Sequence, residues 1–264
     1  MLTATKTQKL LSGIKEYRKQ FFSKGIQDLD ESGTRIMVNY ILTDLLGYRS
    51  LEEIKTEYMI KGTYADYVVQ IDGTRHFLVE VKALSLALSN KHLRQAIEYA
   101  ANEGVEWVIL TNGRILQLYK VIFAQPIESK LVFEVDLSNP DGVKGCLECL
   151  QYLHRDAVLK KGLNQLWNNF IATEKTTIAS ILLSKPAIAF ISKQIRIKFK
   201  SKFDEKVIVE AVRCTLSEPI DLEGVKVSRA PVAKGKKKVK IEIKPGKINA
   251  PLISVPPDSM QVAS

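Results

Sequence analysis

Cysteine is scarce in this chain: three residues in 264, at Cys146, Cys149 and Cys214. So few exclude a disulfide scaffold, and a chain of this length buries a core without one. Long apolar runs are missing too. The best candidate, Ala179 to Ile191, is interrupted by Lys185 and Pro186, and a membrane helix needs about 20 apolar residues. The opening stretch MLTATKTQKLLSGIKEYRKQ has no continuous apolar segment of the kind a signal peptide carries. These absences predict a cytoplasmic protein without a membrane partner. Histidine is equally sparse. His76 and His154 have no serine or cysteine partner at a readable spacing, so a nucleophile triad has no support. Cys146-x-x-Cys149 has only His154 close by, short of the four ligands of a zinc site. With Leu147 and Leu150 beside them, the two cysteines read as buried and inert. No G-x-x-x-x-G-K-[ST] phosphate loop occurs.

Positive charge is abundant, and it is unevenly placed. The net charge is +10. Residues 1–150 hold 18 Lys and Arg against 19 Asp and Glu, whereas residues 151–264 hold 21 against 10. A near-neutral body with a basic C-terminal part points to a polyanion, with nucleic acid the default. Solubility alone also explains many basic tails.

Turn signals divide the first 155 residues into short elements. A helix is predicted over 1–24, with Leu10, Leu11, Ile14, Tyr17 and Phe21 at helical spacing. A second runs from Ser32 to Leu46, with Ile36, Met37, Tyr40, Ile41 and Leu45 as its stripe and Gly47 as its stop. Strands follow at Ile54–Ile60, Ala65–Ile71 and His76–Lys82, the last two joined by Asp72-Gly73. A helix over Lys91–Asn102 ends at Gly104. Strands at Trp107–Thr111 and Ile115–Phe123 flank Asn112-Gly113, and Phe133–Val135 reads as an edge strand. The helix between the third and fourth strands is a crossover, so those two strands should be parallel. The pattern is a mixed α/β sheet with helices against it, closed by a helix over Asp141–Leu153. From Lys160 to Leu216 only helices are predicted, including the basic KQIRIKFKSK segment and a last helix capped by Asp204. Beyond Glu223, prolines and GKKKVK at 235–240 read as a disordered tail. The boundaries are 1–155 for the α/β domain, 156–220 for a helical extension and 221–264 for the tail.

One constellation carries chemistry. In Glu80-Val81-Lys82 the two charged side chains point to the same face of an apolar strand, because positions i and i+2 of a strand share a face. Asp66 lies in the preceding strand at a similar distance from the Asp72-Gly73 turn, which makes it a cross-strand neighbour of Glu80. Two carboxylates together form a hard oxygen site suited to Mg²⁺, and a nearby lysine can orient or deprotonate a metal-bound water. A cross-strand salt bridge is the plainer reading of the same residues. Gln95 and Tyr99, at i and i+4, share a face of the next helix. That helix begins just after the Glu80–Lys82 strand, and Lys91, His92 and Arg94 on it could meet phosphates.

In their order and spacing, Asp66, Glu80-Val81-Lys82 and Gln95-Ala-Ile-Glu-Tyr99 resemble the PD-(D/E)xK nuclease superfamily with its Q-x-x-x-Y motif. The segment is most similar to the N-terminal nuclease domain of type I restriction enzyme R subunits. The likeness spans about residues 30–123 and includes Glu31, Thr34-Arg35, Leu46-Gly47-Tyr48 and the stretch VEVKALSLALSNKHLRQAIEYAANEGVEWVILTNGRILQLYKV. Ala65 stands where the family name has proline, and Leu116 where relatives often have tryptophan. The resemblance implies a restriction-endonuclease-like fold and Mg²⁺, with Mn²⁺ as a substitute. It implies Asp66, Glu80, the Val81 backbone carbonyl and Glu31 (through water) as metal ligands. Lys82 would position the attacking water, and Gln95 and Tyr99 would support the site and touch DNA. Without a phosphate loop, the expectation is a stand-alone, restriction-related DNA endonuclease without a helicase motor. The alternative is a non-cleaving DNA-binding or assembly subunit on the same fold. RNA as substrate, a homodimer, and separate motor or specificity subunits are not readable from the sequence.

Overall fold

The computed structural model describes residues 2–23, 28–60, 63–217 and 253–254. Helix α1 (Ala4–Phe22) opens on Thr3, whose hydroxyl accepts from the Lys6 N–H, and it buries Leu10, Ile14, Tyr17 and Phe21 as the spacing predicts. Asp30 caps α2 (Glu31–Tyr40) by accepting the Gly33 N–H at 2.7 Å, a bond that supplies one of the unpaired donors of the first turn. The chain then widens into a π-helical turn, Ile41–Leu45, which buries Ile41, Leu42 and Leu45. Ile36 departs from the predicted stripe. It is 65% exposed, while Thr34, Met37 and Val38 face inward. The buried stripe Thr34, Met37, Val38, Ile41, Leu42 and Leu45 keeps the 3.6-residue period, and it runs through the polar Thr34 rather than the apolar Ile36.

Six strands follow: β1 (Ile54–Ile60), β2 (Thr63–Ile71), β3 (Thr74–Val81), β4 (Trp107–Thr111), β5 (Ile115–Ile122) and β6 (Glu128–Asp136). They lie in the sheet in chain order, and β6 also pairs with the two-residue strand β7 (Ile253–Ser254). The rest of the predicted 221–264 tail, and the Lys61-Gly62 turn, lie outside the described residues. Asp72 and Gly73 both take positive φ, 49° and 78°, as a tight two-residue hairpin turn requires. The β3–β4 pair is parallel and the other neighbouring pairs are antiparallel. Helix α3 (Asn90–Glu103) makes the crossover and ends on Gly104 in the left-handed region. Strand β6 is longer than the predicted Phe133–Val135, and the short β7 pairs with its first residues. The burial of β6 does not alternate cleanly, so its polar ends do not read as strand from sequence.

Two apolar layers sandwich the sheet. On one face Tyr67, Val69, Phe77, Val79, Val81, Ile109 and Leu118 meet α1, α2, the π turn and α4 (Val143–Leu150). On the other, Val68, Leu78, Val108, Leu110 and Val121 meet Leu93, Ala96, Ile97, Tyr99 and Ala100 of α3. Tyr17 is fully buried, and its hydroxyl donates to the Gly113 carbonyl in the β4–β5 turn. Tyr17→Phe should therefore cost about 1–3 kcal/mol, the penalty for a buried carbonyl left unpaired; the shift in urea midpoint measures it. Cys146 and Cys149 are free, and burial pushes their thiols up to about 11 and about 12.

The chain divides into two compact units, residues 1–167 with 241–264, and 168–240. Helices α5 (Arg155–Leu159) and α6 (Gly162–Ala172) follow α4, and the unit boundary falls within α6. In the first unit Trp167 packs edge-on to Trp107. The second unit contains α7 (Lys175–Leu182), α8 (Lys185–Phe199) and α9 (Glu205–Ser217), with Ile188 and Ile208 buried. Asp204 precedes α9 and accepts the Lys206 N–H at 2.8 Å. Among the described residues no single helix is long and apolar enough to cross a membrane. Only α7 and α8 together reach that length and composition, and they are bent by 62°.

Candidate active site

The Asp72-Gly73 hairpin sets the site. Tyr67 pairs with Val79 across it, so the next positions toward the open end, Asp66 and Glu80, lie level with one another. By strand alternation they share a face with Val68 and Leu78, the face that α3 covers. Both carboxylates are buried. Asp66 is fixed at both oxygens: Oδ2 accepts the Val81 N–H at 2.7 Å, and Oδ1 pairs with the Arg35 guanidinium. Glu80 Oε1 accepts from the Lys82 ammonium at 2.6 Å. Lys82 lies one residue beyond the end of β3, where the parallel ladder still holds its backbone through a 2.9 Å bond to the Thr111 carbonyl.

The first turns of α2 supply the rim. Glu31 Oε2 stands 3.8 Å from Lys82 Nζ, and Glu31 Oε1 stands 3.7 Å from Arg35. The Tyr67 hydroxyl, on the opposite face of β2, donates to the Arg35 carbonyl at 3.2 Å and ties α2 to the sheet. Behind the site, Asn112 donates to the carbonyls of Leu84 and Leu86 and pins the loop that follows Lys82.

The electrostatics follow from this crowding. Burial, with Asp66 and Glu31 adding to it, pushes the Glu80 carboxyl up to about 7 against the opposing hydrogen bond from Lys82. Burial alone would lower the Lys82 ammonium, but the bond to Glu80 and the charges of Glu80, Glu31 and Asp66 outweigh it and hold it above its usual value. Lys82 is therefore a cation and a donor at neutral pH. His92 at the start of α3 is held down by burial and by the charges of Lys82 and Lys91, so the helix N-terminus lies within electrostatic reach of the site.

The structure thus brings Asp66, Glu80, Val81, Lys82 and Glu31 together. Gln95 and Tyr99 are joined to each other, with the Gln95 amide donating to the Tyr99 hydroxyl at 2.7 Å. They lie on the helix that covers the carboxylate face. Sequence reasoning did not anticipate Arg35 as the partner of Asp66. The i, i+4 spacing of Glu31 and Arg35 was the only local signal, and the Asp66 contact spans 31 residues.

Among the described residues no three His, Cys, Asp or Glu side chains form a ready metal-binding cluster. The donors that do converge are two carboxylates on adjacent strands and the backbone at Val81. This hard, oxygen-only set fits Mg²⁺, which is commonly held by one or two carboxylates and keeps several waters.

No curated protein and no solved structure matches the chain. One family model does, described as type I restriction enzyme R protein N terminus (HSDR_N), over residues 30–128. That match begins at the α2 cap and includes the acidic pair, Lys82, the Gln95–Tyr99 helix and strands β1 to β5. Over residues 30–128 the chain is therefore similar to the N-terminal, nuclease-like domain of type I restriction enzyme R proteins.

Proposed function

We propose that this chain is a Mg²⁺-dependent DNA endonuclease. The observation that carries the reading is the level placement of buried Asp66 and Glu80 across one hairpin, with Lys82 hydrogen-bonded to Glu80. A buried carboxylate pair costs free energy unless something compensates it, and a catalytic site is where such a cost is kept. Asp66, Glu80 and the Val81 carbonyl would hold the ion, with Glu31 reaching it through water. When bound, the ion supplies Lewis-acid stabilisation at the scissile phosphate and a more acidic water. Lys82 holds and orients that water by donating a hydrogen bond. Gln95 and Tyr99 brace the α3 face over the strands. Exposed cations on and after α8, at Lys185, Lys193, Arg196, Lys198, Lys200 and Lys202, suit contacts to phosphate backbone, whose contribution falls steeply with salt.

The test is nicking of supercoiled plasmid by the purified protein, with Mg²⁺ and with chelator, beside Lys82→Gln. Nicking that needs the metal and falls about 10²- to 10³-fold in the variant is expected, the range for losing a positioned donor or proton-transfer group. Nicking that persists at the wild-type rate in Lys82→Gln would place the chemistry elsewhere. DNA binding without nicking under any metal would favour the non-cleaving subunit.

A further inference from the structure

The metal-site reading above leaves one cation unexplained. Arg35 sits one helical turn after Glu31 and pairs with Asp66 Oδ1. The other Asp66 oxygen is already engaged by the Val81 N–H. A divalent ion at Oδ1 would share that oxygen with the guanidinium and meet its positive charge there. The contact is not a solvated surface pair, because Asp66 is buried and Arg35 only 30% exposed. The backbone of α2 at Arg35 has its own tie to the sheet, through the Tyr67 hydroxyl. Among the described residues, three carboxylates (Glu31, Asp66, Glu80) and two cations (Arg35, Lys82) meet here in a chain of ion pairs. An entering divalent ion makes one of those cations redundant. Lys82 stays with Glu80, and Arg35 is the one that faces the metal's ligand atom.

Resting on that metal-site reading, we propose that Arg35 is a resident counter-cation that competes with the divalent ion for Asp66 and is released to the DNA backbone when the ion binds. A guanidinium presents a planar fork suited to a phosphate, and Arg35 is 30% exposed, so one side of it already meets solvent. Metal and DNA then support one another: DNA draws Arg35 off Asp66 and strengthens metal binding, and by linkage the metal strengthens DNA binding equally. Without DNA, Arg35 keeps metal affinity low.

The experiment is Mn²⁺ binding followed by electron paramagnetic resonance, with and without a non-cleavable phosphorothioate duplex. The samples are wild type, Arg35→Gln, Arg35→Lys and Glu80→Ala, with circular dichroism to verify folding. Wild type should bind Mn²⁺ weakly alone and about tenfold more tightly with duplex, within the usual range of site-to-site coupling. Arg35→Gln should bind about tenfold more tightly without duplex and gain nothing from it. Arg35→Lys, which keeps the charge and loses the fork, should fall between, and it carries the test if the glutamine variant does not fold. Equal or weaker Mn²⁺ binding by folded Arg35 variants, beside measurable binding by wild type, overturns the competition. Wild-type binding no stronger than that of Glu80→Ala overturns the metal site itself.

Discussion

Glu80→Ala should reduce metal-dependent plasmid nicking to background while leaving the fold intact. Glu80 is the residue on which the site converges: it accepts from Lys82, lies level with Asp66, and is drawn up to about 7 by burial and by the neighbouring carboxylates. A metal's Lewis-acid contribution is several kcal/mol, and each 1.36 kcal/mol is tenfold in rate. Removing a ligand that holds it should therefore cost about 10³-fold or more. Stability should move little or in the opposite direction. The raised Glu80 carboxyl shows that its ionised form is disfavoured in the fold, and glutamine keeps an acceptor for Lys82, so Glu80→Gln in chelator should melt no lower than wild type. A structural role for the Glu80–Lys82 pair predicts the reverse pattern: variants that unfold early and, where folded, cut normally. Rates from supercoiled plasmid and melting curves from the same preparations separate the two.

The largest stability effect is expected away from the site. Glu53, just before β1, is buried, and Arg155 at the start of α5 donates to both of its oxygens at 2.6 to 2.8 Å. The Arg49 N–H adds a fourth bond at 3.1 Å. Removing one partner from such a pair strands the other in a poorly solvated place, so Arg155→Met should cost about 3 kcal/mol. The pair also has a pH signature. The hydrogen bond from Arg155 is the main influence holding the Glu53 carboxyl below its usual value; burial opposes it and Arg49 assists. A depressed carboxyl binds its proton more weakly in the folded state than in the unfolded chain. Its contribution is therefore complete above the ordinary carboxylate range and is lost as pH falls through and below that range. Arg155→Met should lower the urea midpoint at pH 7 and narrow its gap to wild type as the pH is taken toward 3. A gap that is constant with pH would show that the arginine stabilises through packing alone.

The sheet was largely legible because its turns are. Asp72, Gly73, Gly104 and Gly113 each take the positive φ that their residue types favour, and their turns bracket apolar runs of strand or helix length. The parallel β3–β4 pair followed from a helix too long to be a hairpin loop. The carboxylate pair was legible for the same reason, since Asp66 and Glu80 are related by the hairpin alone. Ile36 was misread because its apolar side chain was placed on the stripe, whereas the inward position one turn before Met37 and Val38 belongs to Thr34, a polar residue. The Arg35–Asp66 and Arg155–Glu53 contacts join elements whose mutual placement no local pattern encodes. The family likeness quoted Arg35 without indicating its partner.

The strand order carries a consequence for how the molecule is made. Strands β1 to β6 occupy the sheet in the order in which they occur in the chain. Each new strand adds to an edge formed by its predecessor, and a single crossover, through α3, interrupts the hairpins. Such a sheet can grow outward as the polypeptide leaves the ribosome, without waiting for a distant segment to slot between strands already paired. Loop closure stays short at every step, which favours rapid assembly. The two acidic strands meet among the first of these events, so the Asp66–Glu80 carboxylate pair takes shape before most of the basic helices have been synthesised.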